Sequence, residues 1–93
     1  MELKEFEIIE NLNINNLKII QSEKGFKYGT DAVMLSKFAN IKNYGKVLDL
    51  CTGTGIIPIL ITALKNPSKI VCVEYFSHIA DMAKRSVSLN NLD

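Results

Sequence analysis

The sequence predicts an α/β fold in which parallel strands are joined by crossover helices, preceded by a β-hairpin and a helix. Three observations carry this expectation. Two strand-like apolar segments, "KVLDLC" at 46–51 and "KIVCVE" at 69–74, are each followed by a stretch with helical spacing. A loop containing Gly53 and Gly55 lies between the first strand and its helix. Pro58 then settles the ambiguous run "IIPILITALK" as a helix, because proline removes a ladder donor from a central strand but is tolerated in a first helical turn. Alternation of this kind implies parallel strands with a right-handed crossover.

Taken in order, "LKIIQSEKGFKY" reads as a hairpin with strands at 17–21 and 25–28, turning at Ser22, Glu23 and Lys24 with Gly25 free to take positive φ. Thr30 then stands as the cap of an amphipathic helix over about 31–39, with Asp31 in its first turn. "NIKNYGK" leads into the first parallel strand, and "KNPSK" turns the chain into the second. "SHIADMAKRSVSLNNLD" forms the last helix, capped by Ser77 and ending near Asn90 and Asn91, asparagine being a common substitute for glycine in a left-handed cap. "NLNINN" at 11–16 reads as a bias of composition without functional content.

Composition bounds the function. A chain of 93 residues, 47% hydrophobic and 23% charged, has room for one small domain, here one incomplete unit with an N-terminal hairpin segment (1–30) and a cofactor-binding half (31–93). A net charge of +1 provides no global field toward nucleic acid or an anionic membrane. The lysines at 24, 27, 37, 42 and 46 make a mildly basic segment that reads as a solvated face. No secretory signal or membrane-spanning run is evident, since the longest apolar stretch, Ile56 to Leu64, is far short of the ~20 residues a bilayer needs. The expected location is therefore the cytoplasm, with no membrane partner. Cys51 and Cys72 show no metal-ligand spacing and are expected to be buried, reduced hydrophobes; no metal is expected. His78, the only histidine, reads as a surface or helix-start residue.

In open α/β sheets, ligands bind beyond the carboxyl ends of the strands, where Asp49, the glycine loop and Glu74 fall. Glu74 lies nineteen positions beyond Gly55, near the ~20 expected for a carboxylate that accepts from ribose hydroxyls. A dinucleotide fingerprint needs a third glycine where Pro58 stands, so a cofactor without pyrophosphate fits better. S-adenosylmethionine is such a cofactor: its carboxylate suits free amides at a helix start, its ammonium Asp49, its ribose Glu74, and its adenine the ring of Tyr75. Tyr75 reads equally well as an aromatic packed under the last helix.

"DLCTGTGIIPIL" resembles the first motif of class I S-adenosylmethionine-dependent methyltransferases. With "LKIIQSEKGFKYGTDAVMLSKF" and "VEYFSHIADMAKRSVSLNNL", the pattern over about residues 17–93 is similar to bacterial tRNA adenine-N6 methyltransferases that modify the base beside the anticodon of a valine tRNA. The resemblance implies the N-terminal part of a Rossmann-like domain, truncated, acting on tRNA in its complete form. It places Asp49, Cys51, Gly53 and Gly55 in the methionine-side loop, Glu74 on the ribose and Tyr75 at the adenine, with Tyr28, Thr30 and Asp31 near the methionine end. Cys51 stands where many members have glycine. The Asn/Asp-Pro-Pro-aromatic motif that holds an acceptor amine does not occur in the sequence, so no catalytic residue is assigned and the chain alone is expected to be inactive. A first strand without its family neighbour is expected to expose an apolar edge. The rival readings are a dinucleotide-binding oxidoreductase fragment and a non-catalytic cofactor-binding module.

Overall fold

A computed structural model describes residues 2–25 and 27–93. The elements run β1 (Glu7–Asn11), β2 (Lys18–Ser22), α1 (Thr30–Phe38), β3 (Lys46–Leu50), α2 (Ile56–Leu64), β4 (Lys69–Val73) and α3 (Ser77–Leu89). β1 and β2 form an antiparallel hairpin, β3 and β4 a parallel pair in the register Leu48 to Val71 and Leu50 to Val73. The chain is therefore α/β, with a small parallel sheet connected through α2.

The hairpin uses a different partner from the one expected. β2 pairs upstream with β1, Ile9 opposite Ile20, and not with 25–28. Phe26 lies outside the described residues, and Lys27 and Tyr28 belong to no strand. The reason is the asparagine-rich segment: Asn13, Asn15 and Asn16 adopt φ of 60°, 50° and 57° between the strands. Asparagine tolerates that left-handed conformation better than most residues. Asn11 Oδ1 also accepts the Asn13 N–H at 2.7 Å. "NLNINN" is thus the turn of the hairpin and not a compositional accident. Gly25 has no positive φ; the Ser22 side chain and carbonyl accept the Lys24 and Gly25 amides in its place. At this end of the hairpin the Lys24 ammonium sits 4.7 Å from the centre of the Phe6 ring.

β2 is covered on its other side by α3. The Ile20 N–H donates to Ser86 Oγ at 2.9 Å, and Asn90 both accepts from the Lys18 N–H and donates to the Lys18 carbonyl, at 2.8 and 2.6 Å. Helix side chains here stand where a third strand would pair, so this edge carries few free backbone groups. Charged groups reinforce the contact. Arg85 grips both oxygens of Glu7, at 2.7 and 2.5 Å, and donates to Asp81 at 2.9 Å; Lys4 reaches Asp81 at 3.0 Å.

The helix ends differ from expectation at their starts. Thr30 and Ser77 are first helical residues, with Gly29 and Phe76 at the cap positions and no side-chain cap bond. At α1, the Asp31 carboxylate folds back over Gly29, where a Cβ would meet its Oδ1 at 2.9 Å, a contact the flexible side chain can relieve by turning away. At α3, the Glu74 carboxylate takes the Phe76 N–H from two residues upstream. The C-terminus of α3 follows the reading from sequence: Asn91 has φ 57°, its N–H bonds the Ser88 carbonyl, and the Leu92 N–H bonds that of Val87, a complete Schellman arrangement.

Pro58 occupies the first turn of α2, where its missing N–H costs nothing. α2 is the centre of the core: Ile56, Ile59, Leu60 and Ile61 are buried, and Ile56 and Leu60 meet Ile19 of β2 beneath Tyr28, Ala32 and Val33. One face of the parallel sheet is bare. Leu48 and Leu50 are 61% and 65% exposed, Val71 and Val73 45% and 47%, so an entire aliphatic face is open where an edge was expected. Cys51 and Cys72, expected inside, are both exposed and free, because Cys51 lies in the loop past β3 and only Ile70 of β4 is half-buried. No helix of the described residues is long and apolar enough to cross a membrane.

The Glu7–Arg85 contact makes the hairpin acid-sensitive. Hydrogen bonding from Arg85 holds the Glu7 carboxyl below its ordinary value, against an opposing effect of burial. A folded-state pKa below the unfolded one stabilises above the unfolded value, and that contribution fades as pH falls through the folded one. Glu7→Gln should cost about 1.5–3 kcal/mol at neutral pH, with Arg85 left to Asp81 as its remaining charged partner. Urea melts at pH 7 and pH 3 should show the wild-type and variant stabilities converging on acidification.

Candidate functional site at the glycine loop

The loop that follows β3 is built from three left-handed residues. Cys51, Gly53 and Gly55 have φ of 59°, 62° and 92°. The Thr52 N–H continues the sheet by bonding the Val73 carbonyl at 2.9 Å, and Thr52 Oγ1 donates to Asp49 Oδ2 at 2.6 Å. Asp49 is thus tied beneath the loop. Gly55 caps α2, its N–H bonding the Thr52 carbonyl at 3.1 Å. A Cβ there would lie 3.4 Å from that of Ala83, an ordinary contact, so it is the φ of 92° that calls for glycine. Gly53 differs, since a Cβ there would find nothing within 4 Å.

On the outer side of the loop, Glu74, just past β4, accepts the Gly53 N–H through Oε1 at 2.8 Å and the Phe76 N–H through Oε2 at 3.1 Å. The amides of Thr54, Ile56 and Ile57 make no hydrogen bond among the described residues. Those of Ile56 and Ile57 are the orphan donors of a helix start, where a negative group is favoured.

A cleft of about 550 Å³ opens beside this loop, between the segment after β2, the loop itself and the first turns of α3. Its size is that of a small-molecule site. Of the residues singled out from the sequence, Cys51 and Gly53 line it, as do Tyr28 and Asp31; Asp49, Gly55, Glu74, Tyr75 and Thr30 do not. Tyr28 is placed by its N–H bond to Gln21 Oε1, from a glutamine that is 1% exposed. Tyr75 is 88% exposed with its ring edge-on to Phe76, so it neither lines the cleft nor packs under α3.

Sequence reasoning missed His78, Ile79 and Met82, which close the cleft from α3, and Lys24, which stands at its edge. His78 is exposed and in the first helical turn, as read, but the same turn faces the loop. The one available signal was the spacing of Ile79 and Met82, which is indistinguishable from a core stripe. Lys27, from the basic segment, pairs with Glu10 at 3.7 Å. Across the sheet, the Cys72 thiol is pushed up by partial burial and by the neighbouring Asp49 charge, which disfavours a reactive thiolate. Among the described residues no group of His, Cys, Asp and Glu is placed to hold a metal ion.

Cys51 is the strained member of the loop. A residue with a Cβ costs roughly 1 kcal/mol in the left-handed region, where glycine has no such penalty. Cys51→Gly should therefore raise stability by up to about 1 kcal/mol, read as a higher urea midpoint with unchanged m.

No protein-family model matches the chain. Among curated proteins, it is 33% identical over 63 residues to a tRNA1(Val) (adenine(37)-N6)-methyltransferase of Bacteroides thetaiotaomicron, a match covering 67% of this chain and 27% of that protein. It is also 33% identical over 67 residues to a protein of the same name from a Flavobacteriaceae bacterium, covering 71% of this chain and 29% of the relative. Each match spans less than a third of the relative's length. The chain therefore resembles one portion of the bacterial tRNA1(Val) adenine-N6 methyltransferases over some two thirds of its own residues.

Proposed function

We propose that this chain is the cofactor-binding portion of a class I, Rossmann-like methyltransferase, and that the complete protein transfers a methyl group from S-adenosylmethionine to the N6 amine of an adenine in tRNA, in the cytoplasm. The observation that carries this reading is the glycine loop, whose residues with free amides line a cleft of small-molecule size while a carboxylate stands at the end of the neighbouring strand.

The residues present fit the cofactor. The amides of Thr54, Ile56 and Ile57 would hold its carboxylate at the start of α2. Asp31 lines the cleft and would face the ammonium, a better placement than that of Asp49, whose Oδ2 is taken by Thr52. Glu74 keeps lone pairs beyond its two amide bonds, and these suit a ribose diol. Ile57, Ile79 and Met82 give the cleft apolar walls that exclude water. When bound, S-adenosylmethionine supplies a methyl on a sulfonium, ready for in-line attack by an amine. This chain contributes position: it fixes the cofactor, and the target adenine must be turned out of its stack to reach it. The sequence has no Asn/Asp-Pro-Pro-aromatic motif to orient the amine, so the 93 residues alone bind cofactor without transferring the methyl.

Calorimetric titration of the purified chain tests the reading. S-adenosylmethionine and S-adenosylhomocysteine should both bind, and NAD should not, since the third glycine of a pyrophosphate site is replaced by Pro58. Gly53→Val places a β-branched side chain at φ 62° in open space on a residue that lines the cleft, and should abolish binding while the circular dichroism spectrum is kept. NAD binding in preference to the sulfonium compound, or normal binding by the valine variant, defeats the proposal.

A further inference from the structure

We infer that Glu74 is a positioning residue for the glycine loop, setting it before any ligand arrives, in addition to the ribose contact on which the proposed function relies. Its carboxylate joins two segments that are distant in sequence. Oε1 accepts the Gly53 N–H at 2.8 Å, twenty-one residues away, and Oε2 accepts the Phe76 N–H at 3.1 Å, at the cap of α3. Gly53 sits at φ 62° with no contact that a Cβ would meet, so side-chain packing does not hold it there. Its amide bond to Glu74 is the tie that holds this peptide, while the amides of the neighbouring cleft-lining residues Thr54, Ile56 and Ile57 have no partner among the described residues. The same side chain fixes the entry of α3, which carries His78, Ile79 and Met82 to the opposite wall. One carboxylate thereby sets both sides of the cleft. Charge-assisted bonds to backbone amides are the strong kind, and a carboxylate has about four acceptor positions, so two amides and two ribose hydroxyls are compatible demands.

The alternative is a carboxylate that only meets ribose, its amide contacts being incidental. Glutamine separates the two, because it keeps the length but offers one acceptor oxygen and turns an NH2 toward the second amide. The experiment is residue-resolved amide hydrogen exchange by NMR on the ligand-free 93-residue chain, wild type and Glu74→Gln. In the wild type, Gly53 and Phe76 should be protected relative to Thr54 and Ile57, which have no partner; equal exchange at all four amides overturns the proposal. In the variant, exchange at Gly53 and Phe76 should rise about tenfold or more, as loss of a charge-assisted bond implies, while Ile20, held by Ser86, stays protected and reports an intact fold. Unchanged exchange at Gly53 and Phe76 in a folded variant also overturns it. If the variant loses Ile20 protection, the wild-type comparison alone decides. No cofactor is present, so failure of S-adenosylmethionine to bind would defeat the proposed function and leave this result standing.

Discussion

The backbone between Cys51 and Gly55 is the constraint on which the rest of the structure depends. Three left-handed residues in five turn the chain from the end of β3 into α2, and bring Gly55 beside Ala83 of α3, where a methyl would make an ordinary contact at 3.4 Å. α3 lies against the loop at Ala83. α3 in turn presents Arg85, Ser86 and Asn90 to the hairpin, and the first turns of the same helix become a wall of the cleft. Fold and candidate site thus share one cause, a loop whose left-handed turns call for glycine and whose Gly53 faces open space.

The elements legible in the sequence were those whose signals are local. Pro58 settled α2, apolar runs of strand length gave β3 and β4, and Asn91 marked the end of α3. Alternation of strand and helix then sufficed for a parallel pair. The pairing of the hairpin was not legible from strand propensity, because β2 had two possible neighbours and the choice was made by turn chemistry at Asn13, Asn15 and Asn16, which a bias of composition concealed. Thr30 and Ser77 became first helical residues because each helix starts one residue earlier than read, with caps at Gly29 and Phe76, the latter with its N–H taken by Glu74 from outside the helix. Burial of the cysteines was inferred from apolar neighbours, but a parallel sheet of two strands with a bare face cannot bury what a wider one would.

Much the same division holds at the candidate site. The glycines, Asp49 and Glu74 stood out because their types and spacing announce a strand-end loop. What spacing could not tell was which carboxylate faces open space: Thr52 occupies Asp49, whereas Asp31, read first as a helix-start charge, reaches the cleft. The two glycines also looked alike in sequence, and only the positions of their absent Cβ atoms separate the one beside Ala83 from the one facing open space. Residues contributed by α3 were hidden because an apolar pair at helical spacing serves a core and a cleft equally well.

The exposed face of Leu48, Leu50, Val71 and Val73 and the partial span of the related methyltransferases place the interest of this chain in what it binds. The most direct measurement is the two-dimensional amide spectrum of the labelled chain as S-adenosylhomocysteine is added. The account predicts shifts concentrated at Cys51–Ile57, Tyr28–Ala32 and Glu74, with His78 and Met82 following. Contradiction would come from a spectrum that does not move, or from shifts confined to the separate hollow between Leu12, Tyr28, Val33 and Leu64 on the far side of α2.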